Sequence, residues 1–256
     1  MAFCSANLKK KVALVTGATR GLGRAYALHL ARLGADVIIN DINLRAYLEY
    51  GEEIGAESVP AEIEALGVRS LGIQANVTDR KQVEEMFDRV ESDFGRLDIL
   101  INNAGGALFG NDYKQTLDVN LMGTVLCCQQ AAPIMKRQGS GKIVNVGSQA
   151  GLQGRGGGPY GVSKAAVIHY TRVLASELGP YSINVNCIAP GWILTSRAIA
   201  RGRNEKEKRA QLEAEIALGR LGLPEDCAKV VGFLVSDLSD YVTGQTISVC
   251  GGAVLF

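Results

Sequence analysis

Histidine is almost missing from this sequence: His29 and His169 are the only two. The six cysteines (Cys4, Cys127, Cys128, Cys187, Cys227 and Cys250) form no C-x-x-C pair. Without clustered His and Cys there is no ligand set for zinc, and no metal is expected. The cysteines read instead as buried free thiols of a reducing compartment. No apolar run is long enough to cross a membrane and no signal-peptide pattern is seen, so a cytoplasmic protein with no membrane partner is expected. Charge of one sign is not in excess either. Lys+Arg 27 against Asp+Glu 26 gives a formal net charge of +1, which offers no overall field for nucleic acid. Proline- and serine-rich linkers and internal repeats are absent, so residues 1–256 are expected to form a single domain.

What is present is apolar and rich in glycine. Hydrophobic residues make up 47% of the chain, and 31 residues are glycine. Short runs rich in Val and Ile predict seven strands, at 12–16, 36–40, 70–77, 97–103, 141–148, 183–190 and 245–251. Most are continuously apolar, as strands covered on both faces are. Helical patterns lie between them, at 21–33, 57–66, 80–94, 113–137, 160–178 and 224–236. This β-α-β-α order predicts an α/β fold, a doubly wound parallel sheet with helices on both faces. Two stretches break the rhythm. Residues 42–61 are long for a strand-to-helix connection. Residues 197–219 are charged and predicted helical, and the segment 196–219 falls where a lid would sit.

The stretch 12–41 is the first with chemical content. A strand runs through Gly17, Gly21 and Gly23 into a helix, and a second strand ends at Asp41. Glycines let the backbone approach a pyrophosphate, and the helix N-terminus offers it unpaired N–H groups. Further on, "PYGVSK" places Tyr160 and Lys164 on one helix face, with Pro159 suited to the first turn. A phenol with a pKa of about 10 is a poor base at neutral pH, and lowering it by three units needs about 4 kcal/mol. A nearby ammonium, the helix N-terminus and a cationic cofactor ring are the expected sources.

Taken together, Thr16-Gly17-x-x-x-Gly21-x-Gly23, "NNAG" at 102–105, Asn120, Ser148, Tyr160-x-x-x-Lys164 and "PGWILT" at 190–195 resemble the short-chain dehydrogenase/reductase family. The likeness spans residues 12 to 252. It implies a Rossmann-type fold and an NAD(P)-dependent oxidoreductase that interconverts a secondary alcohol and a ketone by hydride transfer. In that pattern Tyr160 exchanges a proton with the substrate oxygen. Lys164 supports the phenolate and holds ribose hydroxyls, Ser148 orients the carbonyl, and Asn120 holds a water of the proton relay. Cofactor contacts are implied at Gly17, Thr19, Arg20, Gly21, Leu22 and Gly23, and near the adenine at Asn76 and Val77. Asn103, Ala104 and Gly105 are implied beneath the cofactor, with Asn102 structural. Pro190, Gly191, Ile193 and Thr195 are implied around the nicotinamide. Substrate contacts are expected from Ser148, Tyr160, Arg155 and Trp192.

Asp41 favours NAD over NADP, because a carboxylate accepts from ribose hydroxyls and repels a 2′-phosphate. Arg20 argues for NADP unless it pairs with Asp41 or the pyrophosphate. Three features depart from the family pattern. The gap from Asn103 to Asn120 is short, Asn76 stands where an aspartate is usual, and Cys250 replaces the aspartate of a terminal Asp-Gly-Gly. Alternatives are an NADP-dependent 3-oxoacyl-thioester reductase, suggested by "TGATRGLG", and a cofactor-binding sensor without turnover, against which Ser148, Tyr160 and Lys164 together speak. The basic residues of 197–219, Arg197 and Arg203 among them, read as a solvated helix face, with a carboxylate- or phosphate-bearing substrate as the alternative. Small and apolar residues on 113–137 and 160–178, with Leu255 and Phe256 at the end, predict a homo-oligomer, dimer or tetramer.

Overall fold

The computed structural model describes residues 6–108, 110–154 and 157–255. Each strand-forming run is apolar on both sides because each side meets a different core. Along β1 (Val12–Thr16), Ala13 and Val15 face one cluster while Val12 and Leu14 face the other. The same alternation separates Val37 and Ile39 from Ile38 on β2 (Asp36–Asp41). Period-2 geometry thus turns a continuous hydrophobic run into two buried faces.

Five more strands complete the sheet: β3 (Ser70–Gln74), β4 (Ile99–Asn102), β5 (Gly141–Val146), β6 (Ile183–Pro190) and β7 (Thr246–Val249). Among the described residues all seven pair in parallel, in the order β3-β2-β1-β4-β5-β6-β7. The expected doubly wound Rossmann-type sheet is what forms. Helix α1 (Gly21–Arg32) and α2 (Val59–Glu64) cover the first face, and α3 (Arg80–Phe94) covers the second. On α3, Val83, Met86, Phe87 and Val90 form the buried stripe. Asp79 caps its start by accepting from the N–H groups of Lys81 and Gln82, and Gly95 ends it at φ +73°.

The predicted helix 113–137 is not continuous. It divides into α4 (Tyr113–Leu117), a π-helical turn Asp118–Met122, and α5 (Gly123–Gln138). The predicted strand 70–77 stops at Gln74, because Asn76 folds the chain over itself. Its Oδ1 accepts from the N–H and hydroxyl of Thr78, and its own N–H donates to Gln82. Helix α6 (Gly158–Leu178) follows β5, and α9 (Pro224–Val235) precedes β7. Between β6 and β7 lie α7 (Ser196–Ala200) and α8 (Lys206–Ala214), two helices where the sequence predicted one. Gly202, at φ +80°, separates them. The strand order reverses between β1 and β4, and the crevice outside the carboxyl ends of the strands at such a point is where ligands of this architecture sit.

Candidate active site

A cavity of about 890 Å³ opens at that crevice. Its first wall is the turn from β1 into α1. Gly17 and Gly21 hold φ of +61° and +55°, values that disfavour any side chain. Asn103 fastens the turn to the end of β4, donating from Nδ2 to the carbonyls of Thr16 at 3.0 Å and Gly17 at 2.9 Å. Thr16 Oγ1 in return accepts from the N–H groups of Asn103 and Ala104. A Cβ at Gly21 would meet only Thr195 within 4 Å, at 3.5 Å. Gly21 is thus open on that side, which lets a phosphate-bearing chain approach the start of α1.

Asp41 closes the β2 side. Its Oδ2 accepts from the Thr19 hydroxyl at 2.6 Å and the Thr19 N–H at 3.3 Å. The segment 42–58 then crosses the mouth of the glycine turn. A 3₁₀ turn, Ala46–Tyr50, places Glu49 against Arg20, whose guanidinium also lies 4.8 Å from the Tyr50 ring centroid. Arg20 therefore pairs with Glu49, not with Asp41. Glu52 accepts from the Gly21 N–H at 2.9 Å, from Arg24 at 3.0 Å and from the Ser196 hydroxyl at 2.7 Å. Nothing in the local sequence signals these bridges, because the partners of Glu49 and Glu52 are 28 to 144 residues away.

The opposite wall carries the titratable groups. Ser148 follows β5 and accepts from the Ala150 N–H at 3.2 Å, so its own proton stays free to donate. Tyr160 and Lys164 stand one turn apart on α6, with the Lys164 Nζ 5.9 Å from the Tyr160 ring centroid. Lys164 is buried and donates to the Val146 carbonyl at 2.7 Å. Burial raises the Tyr160 phenol above its ordinary value, and Ser148, Arg197 and Arg203 pull it back down.

Burial lowers the Lys164 ammonium from the ordinary 10.5 to about 8. The folded protein therefore releases this proton at lower pH than the unfolded chain does. Stability gained through this group rises with pH between those two values, by roughly 3 kcal/mol. Urea unfolding from pH 8 to 10.5 should show wild type gaining stability relative to Lys164→Met across that window. Parallel curves would place the charged lysine in an environment no different from water.

Other sequence-expected residues divide between lining and support. Leu22, Gly23, Asn76, Val77 and Gly105 line the cavity, as do Pro190, Gly191, Trp192, Ile193 and Thr195. Thr19, Ala104 and Asn120 do not line it. Thr19 is fully buried behind Asp41, Ala104 packs toward the second core, and Asn120 is buried beside Gly106. Asn120 accepts from the Gly106 N–H at 2.7 Å and donates to the Ser163 hydroxyl at 3.2 Å. Ser163 in turn donates to the Tyr160 carbonyl at 2.7 Å. Asn102 donates to Asn145 at 2.9 Å, inside the sheet. Arg155 lies outside the described residues. The sequence reading missed Gln149, Gly106 and Leu212 in the lining. It also placed Arg197 and Arg203 in solvent; both are half-buried and face the cavity. Cys250 is buried against Gly191, whose added Cβ would come within 2.6 Å of the Cys250 Cβ. The cysteines among the described residues are all buried and free, and Cys4 lies outside those residues. No helix of the described residues is long and apolar enough to cross a membrane.

Comparison with known proteins agrees with this geometry. The family model described as enoyl-(acyl carrier protein) reductase matches residues 17–254. A cyclohexanol dehydrogenase of Rhodococcus sp. (strain TK6) is 48% identical, over 96% of this chain and 96% of that protein. A 3-oxoacyl-(acyl-carrier-protein) reductase of Staphylococcus aureus (strain Mu50) is 42% identical, over 94% of this chain and 97% of that one. A 7α-hydroxysteroid dehydrogenase solved with NADH and 7-oxo glycochenodeoxycholic acid superposes at a TM-score of 0.87 with 32% identity, over 97% of this chain and 96% of the other. The glycine turn, the Tyr160/Lys164 pair and these full-length likenesses place the chain in the short-chain dehydrogenase/reductase family.

Proposed function

We propose that this oxidoreductase interconverts a secondary alcohol and a ketone, with Tyr160 as general acid/base and NAD as the preferred cofactor. One observation carries the reading: Ser148, Tyr160 and Lys164 line the same cavity as the glycine turn. The nicotinamide, when bound, accepts or gives the hydride. The protein's own groups manage the proton. Ser148, its lone pair engaged by Ala150, donates to the substrate oxygen and orients it. Tyr160 holds a proton on its hydroxyl for reduction and takes one during oxidation. Lys164, anchored on the Val146 carbonyl, has two further N–H bonds to offer a ribose and the phenol edge. Asn120 acts through Ser163, fixing the first turn of α6 and so the direction of Tyr160.

The NAD preference rests on charge. A 2′-phosphate would approach Asp41, and the arginine that would receive it, Arg20, is held by Glu49. Assay of a panel of cyclic and acyclic alcohols and ketones with each cofactor, read at the nicotinamide absorbance, tests the reading. Turnover with NAD(H) should exceed that with NADP(H), and Asp41→Ala should narrow the gap by at least about tenfold, the equivalent of 1.4 kcal/mol. A wild type that prefers NADP contradicts the assignment. The 42%-identical 3-oxoacyl reductase supports a second reading, in which the ketone belongs to an acyl thioester.

The reading includes a homo-oligomer. Helices α5 and α6 bury Ala131 and Val167 on the sheet side, while Met122, Val162 and Val173 stay exposed. Symmetric pairing of these helices with those of a second copy covers them. Leu255 is also exposed, and Phe256 lies outside the described residues. Light scattering at micromolar concentration should give two or four times the 27.2 kDa of one chain. The mass of a single chain would overturn the assembly.

A further inference from the structure

Among the described residues four further cations face the cavity without a substrate or cofactor contact assigned above: Arg197, Arg201, Arg203 and Lys208. All come from the segment between β6 and β7. None has a carboxylate partner among the described residues, whereas the adjoining Arg209 pairs with Glu213. Asp41 is the one carboxylate in the lining, and it sits at the β2 end, held by Thr19. A bound dinucleotide brings two phosphate charges, and it brings them to the start of α1. Arg197 packs over Gly106, feels the charge of Arg20 and acts on Tyr160 as well. Arg203 is anchored instead at Trp192 and Ile193. Its guanidinium is 5.1 Å from the Trp192 ring centroid, and its Nη1 donates to the Ile193 carbonyl at 2.6 Å. That stack and that bond fix the plane of the fork, and the remaining N–H groups have no partner among the described residues.

Arg203 and Tyr160 line the same cavity, and each alters the other's ionisation. Burial and the charge of Arg197 make Arg203 a weaker holder of its proton than usual. A half-buried guanidinium that faces a second cation and no anion is unfavourable unless a ligand supplies the anion. A planar fork is matched by a carboxylate, which accepts two parallel N–H bonds from it.

We infer that the alcohol or ketone substrate carries a carboxylate, bound by Arg203, with its carbon skeleton in the cavity beside Trp192. This rests on the proposed alcohol/ketone chemistry and names the class of substrate for the same site. The segment that reads in the sequence as a solvated basic helix is then the part of the protein that selects the substrate.

The test separates binding from turnover. Binding of 4-oxocyclohexanecarboxylate and of 4-methylcyclohexanone to the enzyme saturated with NAD⁺ is measured by calorimetry, a mixture in which no hydride is available to the ketone. The carboxylate should bind at least tenfold more tightly than the neutral ketone. Arg203→Met should bring that ratio toward one while leaving NADH affinity unchanged, and Arg203→Lys should restore part of it. Equal binding of the two ketones by wild type, or binding of neither, overturns the inference. So does an Arg203→Met variant that keeps the ratio, or one that loses NADH affinity in step with it. Should Arg203→Met fail to fold, Arg203→Lys carries the same comparison, since charge without the fork is expected to lower the ratio and an unchanged ratio counts against the assignment. Tight carboxylate binding without reduction by NADH would sink the alcohol/ketone reading and leave the carboxylate site standing.

Discussion

Tyr160→Phe is expected to lower kcat by about 10²- to 10⁴-fold, the span that a single positioned proton donor contributes. Cofactor affinity should hold, because the glycine turn, Asp41 and Thr195 are untouched. Stability should change little, since the ring stays and only the hydroxyl leaves. The measurement is paired: single-turnover hydride transfer at the nicotinamide absorbance, and NADH affinity by fluorescence titration. Near-normal turnover in this variant would remove Tyr160 from the chemistry. The structure adds one expectation to the family pattern. Arg197 and Arg203 both draw the phenol toward ionisation while burial opposes them. The pH profile of kcat in wild type should therefore respond to loss of either arginine, even where cofactor affinity does not.

Gly23→Ala is expected to be nearly as damaging, by a different route. Gly23 lies in the first turn of α1, where alanine is ordinarily the better helix former by about 1 kcal/mol. Here an added Cβ would overlap the Gly17 carbonyl oxygen and press on Asn103 Nδ2 at 2.6 Å and Ala18 Cα at 2.9 Å. Two of those three atoms are backbone, so neither can swing aside. Overpacking of this kind costs roughly 1–3 kcal/mol or more, which outweighs the gain in propensity. The displaced Gly17 carbonyl is also the acceptor of Asn103, so the tie between β1 and β4 loosens with it. Both unfolding free energy and nicotinamide-cofactor affinity should fall, the latter by at least about tenfold. A stable variant with native affinity would show that α1 can retreat from β1.

The two variants draw on information of different kinds. Gly23 and Tyr160 both stand in short local patterns, and the reasons for them are local: a backbone path with no side chain, and two side chains on one helix face. Strands β1 and β6 and helix α3 begin and end where their sequences predict, because caps, glycines and apolar runs at those places agree with one another. That agreement allowed the parallel sheet and the placing of Tyr160 and Lys164 on one helix to be read from the chain alone.

Other features depend on partners far away in sequence. The helix predicted over 113–137 is interrupted at Asp118–Met122, where Asn120 turns inward to Gly106 and Ser163. No propensity separates those five residues from their neighbours. Arg20, read as a partner for Asp41 or a phosphate, is taken by Glu49, because residues 42–58 fold back over the glycine turn. Arg197 and Arg203, read as solvated, both face the cavity, Arg197 from α7 and Arg203 from the bend after it, where Gly202 brings the guanidinium onto Trp192. The sequence by itself determined the parallel sheet, the nicotinamide-cofactor class and the placing of Tyr160 and Lys164 on one helix face, since the patterns that carry them are local. The tertiary structure alone decided which charges face which, because a side chain's electrostatic partners are set by the packing of segments that share no local pattern.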